Sequence, residues 1–491
     1  MSFYTFLKVN VFAIYCLEVI MQLEQAIHNA TMEIMRDVGV VIHNEEALGI
    51  FQRNGFKTEG NVVFFTEEQV WEWIKKAPES FTLYGRDSKY DTVVGGWNVN
   101  TAASYGCPFI LDRDGTVRRG SMKDFITLEK VVHGLDEFEI SGGPLLSPED
   151  VPAETANVDM FYASFLLSGK PMLIAPGSVE ATTAIMEAGC EIFGGKEEFA
   201  AKPRMIMLIN TNSPLSLADN MAENLMILAR YGQPVILCPA SMMGATSSID
   251  VAGTLASNSA ETLAGIVLAE MVNPGTPVCY GIQSTAMDMK TVGFACAAPE
   301  GALMQGFGAN MARFYGLPSR GGGCQSDSPI INVQAGYESM LTYYSSYTHG
   351  INMVLVAGGV LDSCNIVSLD MLLIDGEIIK MVKTACKPFE VNEDTLHLDE
   401  IKENGHNAGF LNCDSTLENF HDLYSPSIGT RGSKMTEAEF CKTLDARLEN
   451  VLSKADNTAP VTSEELKGRI KQVLHDNCGI SIDQLSRYEQ Y

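Results

Sequence analysis

The most chemically suggestive stretch of this chain is RGGGCQSDSP, residues 320–329, where three glycines precede a thiol, an amide, a hydroxyl and a carboxylate. Glycine permits positive φ angles, or it lets another group approach the backbone closely. The stretch can therefore be a flexible surface turn. It can also be a loop that presents Gln325, Ser326 and Asp327 to a ligand, since binding residues are often carried on loops.

Two further side chains have residue types suited to catalysis. His349, in SSYTHGINMVLVAGG, is expected at the end of a helix, where a histidine can bind the last carbonyl groups or act as a neutral donor. Glu261, in SNSAETLAG, is expected in the first turn of a helix, where a carboxylate suits the positive helix end. Both residues therefore have a structural interpretation beside the functional one.

Several aromatic residues are expected near strand ends, where they can surround a cation. An aromatic ring attracts a quaternary ammonium group by about 0.5–2 kcal/mol. Ordinary core packing is the alternative for each ring. The residues are Tyr105, Tyr280, Phe294, Tyr343, Tyr344 and Tyr347.

Common catalytic and metal motifs are absent from the sequence. It contains no Walker A loop, no HExxH and no GxSxG in a suitable context, which disfavours nucleotide-driven chemistry and serine hydrolysis. The 12 cysteines are scattered, and no two have CxxC spacing. We therefore predict neither a zinc site nor a thioredoxin-type pair.

The elements that position these residues follow a repeating pattern between about residues 100 and 380. Continuous apolar runs predict strands buried on both faces, and helix-period stretches between them predict crossover helices. This alternation predicts an α/β fold of the TIM (β/α)8 barrel type, whose chemistry lies in the loops after the strands. The 320–329 loop is then expected at the barrel mouth, and Glu261 points there if the strand before it ends near SSID. The runs are FEISGGPL, PMLIAPGS, RMIMLINTNSPL, PVILCPASMMG, PVCYGIQST, LPSRGGGCQSD and MVLVAGGVLDSC.

The remaining segments flank this barrel. We predict an N-terminal helical and hairpin elaboration over 21–100, the barrel over 101–380, and a helical extension over 381–491 that caps the barrel or contacts a partner. A new amphipathic pattern begins at Met21, so residues 1–20 are interpreted as a non-native extension outside the fold. Lys8 and Glu18 interrupt this segment, which has neither a membrane span nor a secretion signal. We therefore predict a cytoplasmic protein.

Charge narrows the classes of partner. The formal net charge of −27 argues against nucleic acid, because phosphate contacts need a basic face. An acidic protein suits a cationic small molecule, although many enzymes are acidic for solubility alone.

Six segments, in this order, carry a family resemblance from about residue 24 onward. They are AIHNATMEIMRDVGV, LYGRD, VAGTLASNSAETLAGIVLAE, FYGLPSRGGGCQSD, QAGYESMLT and SLDMLLIDGEIIKM. With them the chain resembles the trimethylamine:corrinoid methyltransferase family. In the trimethylamine enzymes of that family the loop after FYGLP carries pyrrolysine two residues before the Asp of an SD pair, and here that position is Gln325.

The resemblance implies a particular chemistry. The electrophilic imine of pyrrolysine binds free methylamine, and an amide cannot form that adduct. Relatives that lack pyrrolysine demethylate quaternary amines such as glycine betaine, proline betaine or carnitine. They pass the methyl group to the Co(I) corrinoid of a small partner protein. This chain has no DxHxxG-type cobalamin signature, so transient binding of the partner's corrinoid is expected.

On this basis we assign roles to the candidate residues and keep two alternatives open. The alternatives are a non-catalytic betaine-binding or sensing barrel and a methyltransferase that uses a methylated thiol. The family also suggests a homo-oligomer. Catalytic candidates are Gln325, Asp327 and His349; substrate-binding candidates are Glu261, Tyr280, Gln283, Tyr105, Arg320 and Gln334; corrinoid-binding candidates are Gly322, Gly323 and Ser326.

Overall fold

The computed structural model describes residues 3–406, 409–432 and 435–491, with side chains from Val19 onward. The part before the barrel consists of helices and short strands. In chain order these are α1 (Phe3–Asp37), β1 (Val40–Ile42), α2 (Glu45–Arg53), β2 (Lys57–Glu59), β3 (Val62–Phe64), α3 (Glu67–Ile74), β4 (Ser80–Leu83) and β5 (Thr92–Gly95).

Local sequence signals explain several of these elements. Thr66 caps α3 and forms a capping box with Gln69, as its sequence predicts. Strands β4 and β5 pair antiparallel, which confirms the predicted hairpin. Helix α1 is continuous through Met21, and no helix among the described residues is long and apolar enough to cross a membrane.

The central part alternates strands with helices. In chain order its elements are β6 (Asn100–Thr101), β7 (Phe109–Leu111), β8 (Val117–Arg119), α4 (Met122–Gly134), β9 (Ser141–Gly142), α5 (Ala156–Leu167), β10 (Met172–Ile174), α6 (Val179–Ile192), α7 (Lys196–Ala201), β11 (Met205–Asn210), β12 (Ser216–Leu217), α8 (Asp219–Arg230), β13 (Val235–Cys238), β14 (Met242–Met243), α9 (Val251–Val272), β15 (Val278–Gly281), β16 (Thr285–Asp288), β17 (Gly293–Phe294), α10 (Pro299–Phe314), β18 (Ser319–Gly322), α11 (Val333–Thr348), β19 (Met353–Leu355), β20 (Val360–Leu361), β21 (Ile366–Val367) and α12 (Leu369–Ala385).

Eight of these strands form one parallel sheet in the order β6-β19-β18-β15-β13-β11-β10-β9. A parallel bridge between Ala102 and Ile140 joins the two outer strands, so the sheet closes on itself. Each strand is followed by a helix packed outside, which confirms the predicted (β/α)8 barrel. The seven predicted apolar runs contain β9, β10, β11, β13, β15, β18 and β19.

The parts before and after the barrel pack on different outer helices. Helices α1, α2 and α3 pack on α9, and β1 pairs in parallel with β12. The elements after the barrel are α13 (Glu393–Leu396), α14 (Leu398–Asn404), α15 (Asp414–Asn419), α16 (Glu437–Thr458), α17 (Glu464–Cys478) and α18 (Ile482–Ser486). Helix α16 packs on α4, and α17 packs on α6.

Apolar burial and ion pairs hold the C-terminal extension along the side of the barrel. Val451 of α16 and Leu474 of α17 are buried. Arg113, in the loop after β7, pairs with both Asp370 of α12 and Asp445 of α16. The extension therefore lies along the outer helices, and its predicted contact with a partner stays a prediction.

A buried carboxyl group between α4 and β9 should make stability depend on pH. Glu129 accepts a hydrogen bond from the Gly142 amide at 3.0 Å, and burial raises the pKa of Glu129 to about 7. The folded protein thus holds this proton more tightly than the unfolded chain, and that stabilisation is lost as pH rises from about 4.5 to 7. We expect Glu129→Gln to raise the free energy of unfolding at pH 8 by up to about 3 kcal/mol, with a smaller gain at pH 5.

Urea unfolding at the two pH values measures this effect. Glu154→Gln, at an exposed position, is the control and should change neither value. A Glu129→Gln protein no more stable than the parent at pH 8 would contradict the assignment.

Candidate active site at the barrel mouth

The glycines that lead into the loop after β18 allow other side chains to approach the backbone closely, and they do not adopt unusual backbone angles. The positive φ in this loop, 44°, belongs to Cys324, and the three glycines before it keep φ outside the left-handed region. A Cβ on Gly322 would lie 2.5 Å from Gln325 Nε2 and 2.9 Å from Gln283 Oε1. Of the two predicted uses of glycine, the structure therefore shows the second. Glycine at position 322 lets the side chains of Gln325 and Gln283 approach the backbone closely.

Three side chains from neighbouring strand ends meet inside the barrel. Arg320 Nη1 donates to Gln283 Oε1 at 2.5 Å, and Gln283 Nε2 donates to Gln325 Oε1 at 3.2 Å. Side chains alternate along a strand, and the Gly321 Cα faces Gln305 and Ile351 on the helix side. Arg320 therefore faces the lumen. We call Arg320, Gln283 and Gln325 the lumen relay.

The lumen relay fixes the orientation of both amides. A guanidinium group can only donate hydrogen bonds, so Gln283 must turn its oxygen to Arg320 and its NH2 group to Gln325. Gln325 must then present its own oxygen to Gln283, which leaves its Nε2 facing away from the relay. All three side chains are at least nine-tenths buried. Arg320 therefore fixes the orientation of the Gln325 amide through the hydrogen bonds of Gln283.

Two more side chains adjoin the relay. Arg320 Nη1 also lies 3.2 Å from Cys238 Sγ at the end of β13. Burial raises the pKa of the Tyr105 hydroxyl above its usual value, and the nearby charge of Arg320 acts in the opposite direction. The Tyr105 ring is partly exposed. Of the six predicted substrate-binding residues, the structure brings together Arg320, Gln283 and Tyr105.

Glu261 lies elsewhere on its helix than its sequence context predicts. Helix α9 begins at Val251, so Glu261 is in the helix interior and not in the first turn. Its carboxylate accepts hydrogen bonds from Thr211, Ser213 and the Leu215 amide, and burial raises its pKa. Glu261 therefore fixes the loop after β11, and both of its oxygens are occupied by that loop.

A glutamate that sequence reasoning missed anchors the 320–329 loop. Glu338 Oε2 accepts hydrogen bonds from Ser326 Oγ at 2.7 Å and from the Asp327 amide at 2.9 Å. Glu338 Oε1 accepts from Gln334 at 2.9 Å, so Gln334 supports this anchor and does not belong to the lumen relay. Glu338 is the single charged residue of α11. An isolated charge on an otherwise neutral helix is the sequence feature that could have identified it as a structural or functional residue.

The neighbouring loop after β19 supports Asp327. Asp327 Oδ1 accepts from Ser363 Oγ at 2.7 Å and Oδ2 accepts from the Ala297 amide at 3.3 Å. Asp362, Ser363 and Cys364 all have left-handed φ angles of 49–73°. Strained backbone of this kind persists where surrounding contacts enforce it, often at functional sites. Asp327 thus joins three mouth loops, and its predicted catalytic role stays a proposal.

The predicted aromatic box does not assemble. Tyr280 points outward and its hydroxyl lies 2.5 Å from Ser259 Oγ on α9, while Tyr343 binds Thr101 from α11. Tyr347 stacks on Tyr343, and Tyr344 is exposed. Tyr280 is therefore a packing residue between sheet and helices, which corrects its predicted contact with substrate. Tyr105 and the half-buried Phe294 of β17 stay at the mouth.

His349 lies at the opposite end of the barrel from Gln325. It caps the C-terminus of α11, just before β19 begins, and its Nδ1 lies 2.7 Å from the Ser345 carbonyl. Gln325 follows the C-terminal end of β18, and strand starts and strand ends face opposite directions in a parallel barrel. The structural interpretation of His349 is therefore correct, and its predicted place beside substrate or corrinoid is wrong.

Two of the predicted corrinoid-binding residues, Gly323 and Ser326, are packed against other residues of this chain. A Cβ on Gly323 would meet Val354 and Tyr343, and the Ser326 side chain is fully buried against Glu338. Both residues shape the loop. Gly322 instead makes room for the Gln325 and Gln283 side chains, as described above.

The chain is similar to a known family of methyltransferases over most of its length. The family model described as trimethylamine methyltransferase (MTTB) matches residues 16–436. The glycine betaine methyltransferase of Desulfitobacterium hafniense is 35% identical over 92% of this chain and 95% of its own length. A trimethylamine methyltransferase of Methanosarcina mazei is 34% identical over 80% of this chain and 81% of its own length.

A solved structure, the monomethylamine methyltransferase of Methanosarcina barkeri, aligns with a TM-score of 0.48 and 13% identity over 85% of this chain and 96% of that one. The barrel assignment rests on the strand order given above. From the match over most of its length, this chain belongs to the trimethylamine methyltransferase family.

Proposed function

We propose that the protein demethylates a quaternary amine of the betaine type and transfers the methyl group to the Co(I) corrinoid of a small partner protein. The observation that carries this proposal is the Gln325 amide, which the lumen relay holds in one orientation where pyrrolysine-containing relatives have an electrophile. An amide forms no adduct with a free amine. The similarity to a glycine betaine methyltransferase supports the same substrate class.

A quaternary amine makes this chemistry possible without a covalent handle. The N–CH3 bond breaks with its electron pair remaining on nitrogen, so the amine leaves neutral. The corrinoid supplies the electron pair for the new bond to the methyl carbon. The protein must therefore hold the substrate in line with the acceptor and keep water away, which buried residues at the end of a barrel suit.

Exposed apolar side chains at the mouth support docking of a corrinoid protein there. Met289 and Val292, on the β16–β17 hairpin, are 74% and 67% exposed, and Ile330 after β18 is 53% exposed. All three lie in segments that follow barrel strands, on the side where Gln325 lies. We propose this rim as the contact surface, since Ser326 is fully buried and Gly323 is packed against Val354 and Tyr343.

The homo-oligomer and the cytoplasmic location stay predictions. Light scattering of the purified protein tests the first.

Methyl transfer with purified components tests the proposed function. The protein, a Co(I) corrinoid protein and one amine at a time are mixed, and the corrinoid absorbance is followed. We expect transfer from glycine betaine or a related betaine and none from trimethylamine. His349→Ala, at the far end of the barrel, is the control and should retain the parent rate.

Other outcomes identify the alternatives. Betaine binding without transfer to any corrinoid protein would favour a binding or sensing barrel. Transfer from methylated thiols alone would favour the thiol-dependent enzyme. Transfer from trimethylamine at the betaine rate would contradict the role given to Gln325.

A further inference from the structure

We infer that Arg320, Gln325 and Tyr105 bind the carboxylate of the substrate, so that the enzyme selects zwitterionic amines and rejects cations that lack an acid group. This inference deepens the proposed function and rests on it for the identity of the amine. Its basis is a set of polar groups at the mouth that are buried and incompletely paired.

Arg320 is a buried cation without a counter-ion. Its side chain is 3% exposed, and its partners are the neutral Gln283 amide and the Cys238 sulfur. Within the described part of the chain it forms no salt bridge, and its Nε–H has no hydrogen-bond acceptor. A buried charge is costly unless it is paired. The net charge of −27 means that carboxylates are in excess in this protein, yet none of those described pairs with Arg320. An anionic group of a ligand completes this site.

Gln325 supplies a second free donor in a fixed direction. Its side chain is fully buried, its oxygen accepts from Gln283, and its Nε2 has no partner among the described residues. Because the guanidinium of Arg320 dictates the orientation of both amides, the group that Gln325 presents is an NH2 and not a carbonyl oxygen. Gln325 therefore needs an acceptor from the ligand.

Tyr105 supplies the third group. Its hydroxyl oxygen is buried and lacks a partner in the residues that the structure describes. Tyr105 follows β6, so it lies at the same end of the barrel as Gln325, and the charge of Arg320 lowers the pKa of its hydroxyl against the effect of burial. A phenol can donate to a carboxylate, so it complements the other two donors.

Donors of this kind recognise oxygen and not ammonium. A carboxylate offers two oxygens with several lone pairs, which matches a guanidinium, an amide and a phenol. A methylated ammonium group has no acceptor, so it cannot satisfy any of the three. Since Arg320 lies within β18 and Gln325 lies in the loop that follows, the carboxylate end binds deeper in the barrel. The methylated nitrogen then points to the mouth.

Calorimetric titration of the purified protein, without a corrinoid partner, tests the inference. We expect glycine betaine to bind at least about fiftyfold more tightly than choline, because charge-assisted hydrogen bonds are the strong ones. Arg320→Met should weaken betaine binding by about a hundredfold and leave weak choline binding unchanged. Tyr105→Phe should weaken betaine binding by about five- to tenfold. Lys290→Met removes an exposed positive charge at the mouth and should leave the betaine affinity at the parent value.

The parent protein alone keeps the inference testable if Arg320→Met does not fold. Equal affinity for choline and glycine betaine in the parent would overturn it. So would an Arg320→Met protein with parent betaine affinity but a raised KM for the corrinoid protein, since the donors would then serve the corrinoid. Arg320-dependent betaine binding without methyl transfer would uphold the carboxylate site and refute the proposed function. Methyl transfer from glycine betaine by a protein that binds choline equally tightly would refute the carboxylate site and uphold the proposed function.

Discussion

Replacing Gly322 with alanine should lower the rate of methyl transfer by about a hundredfold while the protein still folds. The new Cβ would lie 2.5 Å from Gln325 Nε2 and 2.9 Å from Gln283 Oε1, closer than real contacts allow. Both atoms are at the ends of flexible side chains, so the protein can relieve the clash by moving them. That movement breaks the lumen relay, and a displacement of about 1 Å at a reacting centre can cost about a hundredfold in rate.

Steady-state kinetics and urea unfolding, measured together, separate this effect from misfolding. We expect the free energy of unfolding to fall by about 1–3 kcal/mol. Gly336→Ala is the matched control, because a Cβ there would meet nothing within 4 Å and the residue lies in α11. That control should keep the parent rate and gain about 0.5–1 kcal/mol of stability. A Gly322→Ala enzyme with the parent rate would show that the position of Gln325 is not important.

Replacing Glu338 with alanine should both destabilise the protein and slow methyl transfer. The change removes the acceptor of Ser326 Oγ and of the Asp327 amide. Each buried donor left without a partner costs about 1–3 kcal/mol, so we expect the two donors to lower the free energy of unfolding by about 2–6 kcal/mol. Because the same loop carries Gln325, we also expect the rate to fall by at least about tenfold.

Glu338→Gln and Tyr337→Ala complete this experiment. The glutamine variant retains one acceptor oxygen, so its stability and rate should lie between those of the parent and the alanine variant. Tyr337 is 59% exposed on the adjacent position of the same helix, and its removal should change neither quantity by much. If Glu338→Ala were as stable as the parent, the loop would be held by other contacts.

The barrel could be predicted because its strands are buried on both faces. Met205–Asn210 and Val235–Cys238, for example, read as continuous apolar runs followed by polar loops. The first strand was not predicted, because Asn100–Thr101 is short and polar. The Asn100 side chain is instead satisfied inside the fold, where it donates to the carbonyls of Val93 and Asn352.

The start of α9 was missed for a related reason. The segment before Glu261 is rich in serine, threonine, asparagine and glycine, which usually favour caps and turns. In the structure Ser259 Oγ donates to the Leu255 carbonyl, and Asn258 donates to Ser284. One hydrogen bond within the helix and one tertiary contact therefore satisfy polar groups in the first turns of α9, which the sequence pattern placed before the start of the helix.

The sequence by itself determined the fold class and the place of the 320–329 loop after a barrel strand, because both follow from the order of apolar and polar residues along the chain. Only the tertiary structure decided which candidates meet. Arg320, Gln283 and Gln325 are joined because parallel neighbouring strands bring their ends together, whereas His349 is carried to the opposite end by the helix between. The direction of the Gln325 amide is likewise a tertiary property, since it is imposed by a guanidinium through a second amide from another strand.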